Sequence, residues 1–268
     1  MSSSRMPHLL LHTYFRSSCS ARVRTALHLK NLSYEPAYIH LLKQDQLAPS
    51  YCTINPSASV PTLTITPLPS SPNHSKIVIR QSLAILEFLD EYFPDTKRLL
   101  PEDAIKRARI RELVDILACD VQPPTNLRIL RRVKKISEGN DEAVSSWARE
   151  IMGAGLEAYD KLVREGRELD GGGRYSVGNE VTMADVCLAP AVEGAVSLCS
   201  LKETSLLASS GRERQANTNF VIQLRYGVDV QNLEAVWSIY EELKKVDAFK
   251  KGGWRAQPDT PEEFREKE

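Results

Sequence analysis

What this chain lacks narrows what it can do. It lacks net charge: 35 basic and 35 acidic residues cancel, so no global field draws it to nucleic acid or to an anionic membrane. It lacks paired cysteines: Cys19, Cys52, Cys119, Cys187 and Cys199 are odd in number, widely spaced and free of any CxxC or Cys/His cluster. That argues against a disulfide framework and against a zinc or other metal site. No apolar run approaches the roughly 18 residues of a membrane span, and Leu9-Leu10-Leu11 is too short for the core of a signal peptide. The expectation is a reducing, soluble compartment, most simply the cytoplasm, and a small-molecule substrate, with no nucleic acid and no membrane as partner.

What is present is concentrated first at a strand-to-helix junction. Leu9 to Tyr14 reads as a short apolar strand, and Val23, Ala26, Leu27 and Lys30 fall at the helical period. Ser17, Ser18, Cys19 and Ser20 therefore sit at a helix start. Unpaired backbone N–H groups and the positive end of the helix dipole gather there and stabilise a thiolate or carboxylate.

The chain then continues with a second strand within residues 34–41, a loop from Asn55 into a third strand over Thr62–Thr66 with Pro61 at its head, a long turn over 67–75, and a fourth strand over 76–80. Ile85, Phe88, Leu89 and Tyr92 make a helical stripe that stops before Pro94. The order is strand, helix, strand, strand, strand, helix. From Pro101 the pattern is helical throughout: Ile110, Leu113, Val114, Leu117 and Val121 form a stripe interrupted by Pro123-Pro124. Further helices are expected over 125–137 and 142–165, and Thr182-Met183-Ala184-Asp185 reads as an N-terminal cap. Residues 201–219 are serine-rich and weakly patterned, Leu233, Val236, Trp237 and Tyr240 resume a helix, and the charged tail after Pro258 is expected to be loose.

Five segments, in this order, resemble the zeta-class glutathione transferase, or maleylacetoacetate isomerase, family. They are Ser17-Ser18-Cys19-Ser20-Ala21-Arg22-Val23-Arg24, Asn55-Pro56 with Val60-Pro61-Thr62-Leu63, Gln81-Ser82-Leu83-Ala84-Ile85, Leu99-Leu100-Pro101, and Val177 to Asp185. The resemblance covers residues 8 to 265. It implies a glutathione transferase fold: an α/β thioredoxin-like N-terminal domain over 8–95 and an all-α C-terminal domain over 101–255, with an insertion near 196–221 and commonly a homodimer. Three features depart from the family: that insertion, Ala21 in place of its usual tryptophan, and the lengthened turn at 67–75.

Residue by residue, the resemblance implies that Ser17, Ser18 and Cys19 hold the sulfur of glutathione. A free thiol has a pKa of about 8.5, and lowering it by two units requires about 2.7 kcal/mol. One charge-assisted hydrogen bond, roughly 1.5–3 kcal/mol, with a helix terminus, roughly 0.3–1 kcal/mol, covers that. A serine hydroxyl is the preferred donor; Cys19, a thiol at a helix start, is the rival. Val60, with Ser59 and a cis Pro61, matches the backbone that pairs with the cysteinyl part of glutathione. Gln81 and Ser82 match the residues that take its γ-glutamyl end, although Ser82 taken alone is an ordinary N-cap. Gln122 matches a cleft position, and a polar residue before two prolines needs no function. Arg225, in Arg225-Tyr226-Gly227-Val228-Asp229-Val230, matches an arginine that binds the substrate carboxylate, for which a planar guanidinium fork is suited; a solvated surface arginine is the plainer reading. Arg16 either helps fix an anionic ligand or lies in water. The basic run from Arg128 to Lys135 reads as a solvated helix face, with steering of acidic substrates as the alternative.

The activity implied is a glutathione-dependent cis-trans isomerisation of a conjugated enedione acid such as maleylacetoacetate, by reversible thiolate addition. A related isomerase or a glutathione-conjugating transferase acting on another electrophile is the alternative among enzymes. A non-catalytic interaction module on the same fold is the alternative outside them.

Overall fold

The computed structural model describes residues 6–68, 75–196 and 226–265. The chain divides into two compact units, one of residues 1–100 with 244–268 and one of residues 101–243. The helical domain expected over 101–255 thus differs at its end: the segment from Lys244 onward clusters with the first unit.

The first unit contains β1 (His8–Thr13), α1 (Ser18–Leu29), β2 (Glu35–Tyr38), α2 (Pro49–Ile54), β3 (Thr62–Thr66), β4 (Ile77–Arg80) and α3 (Ser82–Tyr92). The sheet order is β2-β1-β3-β4, with β1 parallel to β2 and antiparallel to β3, and β3 antiparallel to β4. A β-α-β unit followed by a β-hairpin and a helix is the thioredoxin-like arrangement. Its core follows from the period-2 alternation of the central strands. Leu9 faces Ile65 and Leu11 faces Leu63 across the ladder, and all four are buried together with Val23 and Leu27 of α1 and Ile85 and Leu89 of α3. Each such side chain contributes about 1.5–3 kcal/mol. No helix was expected where α2 lies. Pro49 opens it at a position where a missing N–H costs nothing, and only Tyr51 is buried, so no apolar period marks it.

A buried ion pair fixes the way out of this unit. Lys30 Nζ lies 2.6 Å from Asp90 Oδ1, and the same carboxylate accepts the Leu99 and Leu100 amides at 2.9 and 2.8 Å. The Leu99-Leu100-Pro101 segment is held there.

The second unit holds α4 (Ala104–Asp115), a π-helical stretch (Ile116–Val121), α5 (Leu127–Ile136), α6 (Asp141–Asp170), α7 (Met183–Ala195) and α8 (Glu234–Leu243). Asp103, Asn126 and Asn140 cap α4, α5 and α6 by accepting first-turn amides. A Cβ on Gly155 of α6 would fall 2.1 Å from Val121 Cγ2, so glycine is what lets the π-helical stretch approach that helix. The cap expected at Thr182–Asp185 is present as a reciprocal capping box at the start of α7. The serine-rich stretch 201–219 lies outside the described residues.

The C-terminal segment, α9 (Asp247–Gly252) and the chain to Arg265, returns to the first unit. The looseness expected after Pro258 is overturned up to that residue. Gln257 Nε2 donates to the Lys251 and Gly253 carbonyls at 2.8 and 2.6 Å, Arg265 donates to the Thr260 and Pro258 carbonyls, and Thr260 is buried. Of the charged side chains that point to a loose tail, Arg265 is spent on backbone acceptors and Asp259 accepts a backbone amide.

Candidate active site

The strand register brings three of the motifs to one end of the sheet. β1 and β3 run antiparallel with His12 opposite Thr62, and β3 and β4 run antiparallel with Thr62 opposite Arg80. The C-terminal end of β1, which leads to Ser17, therefore lies beside the N-terminal end of β3, preceded by Ser59-Val60-Pro61. The C-terminal end of β4, which leads to Gln81-Ser82, lies on the other side of β3. Arg22 of α1 links two of these motifs directly, donating from Nη1 to Ser82 Oγ at 3.3 Å.

At the first motif the two serines are not equivalent. Ser17 is the N-cap of α1, in extended conformation, and its Oγ accepts the Ser20 amide at 3.1 Å. Ser18 is the first residue of the helix; its half-buried hydroxyl makes no hydrogen bond among the described residues. Cys19 is a free, half-buried thiol beside it. The first amides of a helix have no intrahelical partner, so Ser18 and Cys19 present backbone donors, a hydroxyl and a thiol together.

The second motif carries a cis peptide between Val60 and Pro61. The loop before it is pinned from below: Tyr51 Oη and Asn55 Nδ2 both donate to the Ser59 carbonyl, at 2.7 and 2.8 Å, and both contact Thr62 Oγ1, at 3.0 and 2.9 Å. The Ser59 carbonyl is thereby used in the scaffold. The Val60 amide and carbonyl make no backbone hydrogen bond among the described residues and remain available to an added strand. At the third motif Gln81 is exposed with φ of 71°, and Ser82 is buried at the first position of α3. A non-glycine residue in the left-handed region costs about 1–3 kcal/mol and such residues cluster at ligand clamps.

The electrostatics give a neutral wall. Burial pushes the Tyr14 phenol up to about 12, against the pull of the Arg16 guanidinium, so Tyr14 stays neutral. Burial also lowers His12 below its usual value, with a backbone hydrogen bond to Thr62 opposing. Arg16 is half-buried at the start of this wall. Gln122, at the C-terminal end of the π-helical stretch, is half-buried within the second unit, and Arg225 lies outside the described residues.

Sequence reading assigned no role to Arg24, Tyr51, Asn55 or Asp259. Arg24, completely buried, donates to Thr13 Oγ1, the Tyr14 and Phe15 carbonyls and the Gly252 carbonyl. Its signal was there to find: two arginines inside a helix whose residues 20–27 are otherwise apolar or small.

Comparison with known proteins agrees with this fold. The family described as glutathione S-transferase, N-terminal domain, matches residues 16–92. The maleylacetoacetate isomerase of Emericella nidulans is 42% identical over 268 residues, covering 99% of this chain and all of its own. The chain belongs to the zeta-class glutathione transferase, or maleylacetoacetate isomerase, family. Among solved structures, a bacterial zeta-class maleyl pyruvate isomerase in its holo form is 31% identical with a TM-score of 0.72, covering 94% of this chain and all of that one. The maleylacetoacetate isomerase of Anaeromyxobacter dehalogenans, with glutathione bound in its active site, is 29% identical with a TM-score of 0.72 over 96% of this chain and all of its own. The family fold, a thioredoxin-like domain and a mostly helical remainder, is the fold described above.

Proposed function

We propose that this chain is a glutathione-dependent cis-trans isomerase of a conjugated enedione acid, with maleylacetoacetate as the substrate, acting in the cytoplasm as a homodimer. The observation that carries this is the convergence, at one end of one sheet, of the open start of α1, the cis Val60-Pro61 bond and the strained Gln81 before Ser82. The donor set fits glutathione. Ser18 and the first α1 amides suit a thiolate, the free Val60 backbone suits a peptide, and Ser82 with the start of α3 suits an α-carboxylate.

Bound glutathione supplies a thiolate that adds reversibly to the activated double bond and so lets it rotate. Ser18 donates its hydroxyl hydrogen to the sulfur and holds the thiol in its ionised form. Ser17 holds the helix start in place through Ser20, while Cys19 adds a polarisable neighbour. Val60 aligns the cysteinyl backbone, with Ser59 and Pro61 fixing the loop, and Gln81 and Ser82 orient the γ-glutamyl end. Arg16 supports an anionic ligand beside Tyr14, and Arg225 keeps the carboxylate-binding role that the family resemblance implies. The domain of residues 8–95 is the glutathione domain and the helical remainder the substrate domain.

The test is turnover of maleylacetoacetate with and without glutathione, following enedione isomer and free thiol together. Trans isomer formed only with glutathione, without thiol loss, is the expected result. Thiol consumed in step with substrate would make the enzyme a conjugating transferase, and no reaction with glutathione bound would reject this substrate.

A further inference from the structure

The loop that carries the thiol motif is held from the opposite end of the chain. Between β1 and α1 the Tyr14 carbonyl and the Phe15 N–H are the two ends of one rigid peptide plane. The carbonyl end accepts the Ser17 amide at 3.0 Å and Arg24 Nη1 at 3.2 Å. The amide end donates to Asp259 Oδ2 at 2.9 Å. Asp259 follows the Gln257 and precedes the Thr260 that knit the C-terminal segment together, and Arg24 Nε reaches the Gly252 carbonyl of that segment at 2.9 Å. The approach is close because position 252 is glycine: a Cβ there would lie 2.3 Å from Thr25 Oγ1 and 2.7 Å from the Thr25 backbone.

We propose that Asp259 is a positioning residue for the reaction, acting through the Tyr14-Phe15 peptide plane to set the direction of the Ser18 hydroxyl. This rests on the reading of Ser17-Ser18-Cys19 as the thiol site. The chain of contacts is short. Asp259 sets the tilt of the plane, the plane offers its carbonyl to the Ser17 amide, and Ser17 caps the helix on which Ser18 is the first residue. Displacement of a reacting group by about 1 Å costs on the order of a hundredfold in rate, so a hydrogen bond one residue from the N-cap's neighbour has leverage on chemistry beyond its own strength. A carboxylate that merely stitched the tail would serve as well on any loop amide; this one takes the amide that shares a plane with the acceptor of Ser17.

The test compares the parent enzyme with Asp259→Ala and Asp259→Asn, the latter keeping an acceptor oxygen at the same reach. Thiolate absorbance of bound glutathione is titrated against pH, and kcat and KM for glutathione are measured on folded protein. We expect Asp259→Ala to raise the apparent pKa of the bound thiol and lower kcat about tenfold with KM changed less than threefold, and Asp259→Asn to recover most of both. An alanine variant that loses only melting temperature, with thiol pKa and kcat of the parent, overturns the proposal. If the alanine variant does not fold, hydrogen exchange on the parent decides: a Phe15 amide in the slow class of the β1 amides supports the contact, and a fast one overturns it. A parent that shows no thiolate band with glutathione instead overturns the site reading itself, which separates the two failures.

Discussion

Two helix starts in this molecule, α1 and α7, use the same chemistry to opposite ends. At α7 every polar atom of the cap is spent. Asp185 Oδ2 accepts from the Thr182 amide and hydroxyl, both at 2.8 Å, and Oδ1 accepts from the Ser176 amide and hydroxyl at 2.9 and 2.6 Å. Burial pushes that carboxyl up, and those four hydrogen bonds pull it back. At α1 the cap is half made. Ser17 takes the Ser20 amide, no acidic residue follows in the first turn, and Ser18 keeps its hydroxyl unspent. A closed cap makes a joint in the scaffold, and an open one leaves donors for a ligand.

Substitutions at the two starts should therefore fail in different ways, and the largest effect belongs to the closed cap. Asp185→Ala strands two buried amides at about 1–3 kcal/mol each, so a loss of about 2–6 kcal/mol in urea unfolding is expected; a loss within 0.5 kcal/mol, the usual range for surface changes, would erase the distinction. Ser18→Ala should cost about 1.5–3 kcal/mol in transition-state stabilisation, the strength of one charge-assisted hydrogen bond, seen as a fall in kcat with little change in glutathione affinity. Equal kcat in mutant and parent would remove Ser18 from the mechanism and bring Cys19 forward. Ser17→Ala should instead behave as a lost N-cap, about 0.5–2 kcal/mol of stability, with kcat falling less than for Ser18→Ala.

The smallest effect concerns acid, and it separates the two units. All five histidines, His8, His12, His28, His40 and His74, precede residue 101. Burial is the main cause that lowers both His12 and His28 below 6.5. A histidine whose folded pKa is depressed gives its full stability above the unfolded value and loses it as pH falls through the window below 6.5, because the unfolded chain then binds the proton more readily. Mild acidification should destabilise the first unit through these residues, and His12→Gln with His28→Gln should flatten the dependence of the urea midpoint between pH 7.5 and 5.5. An unchanged slope in the double variant would assign the acid sensitivity to carboxylates.

Local signals were legible in the sequence where their cause is local. β3 runs over Thr62–Thr66 as its β-branched residues and flanking turns indicate, and the α7 cap is visible because Thr182 and Asp185 are three apart. The family resemblance pointed to the cis Val60-Pro61 bond, which spacing alone does not reveal. Asp259 and Gly252 were not legible: their partners, Phe15 and Arg24, lie 244 and 228 residues away, and a charged segment rich in proline reads as a tail. Likewise α2 hides because one buried residue makes no period.

The first unit is discontinuous, and this gives the order of synthesis a chemical meaning. Residues 1–100 leave the ribosome long before Lys244 does, by on the order of ten seconds at typical elongation rates. During that interval Arg24 lacks the Gly252 carbonyl and Phe15 lacks Asp259. A nascent chain can thus carry the sheet and the serines while the loop between them is still unanchored, and the glutathione site reaches its finished shape only once the segment through Asp259 has been made.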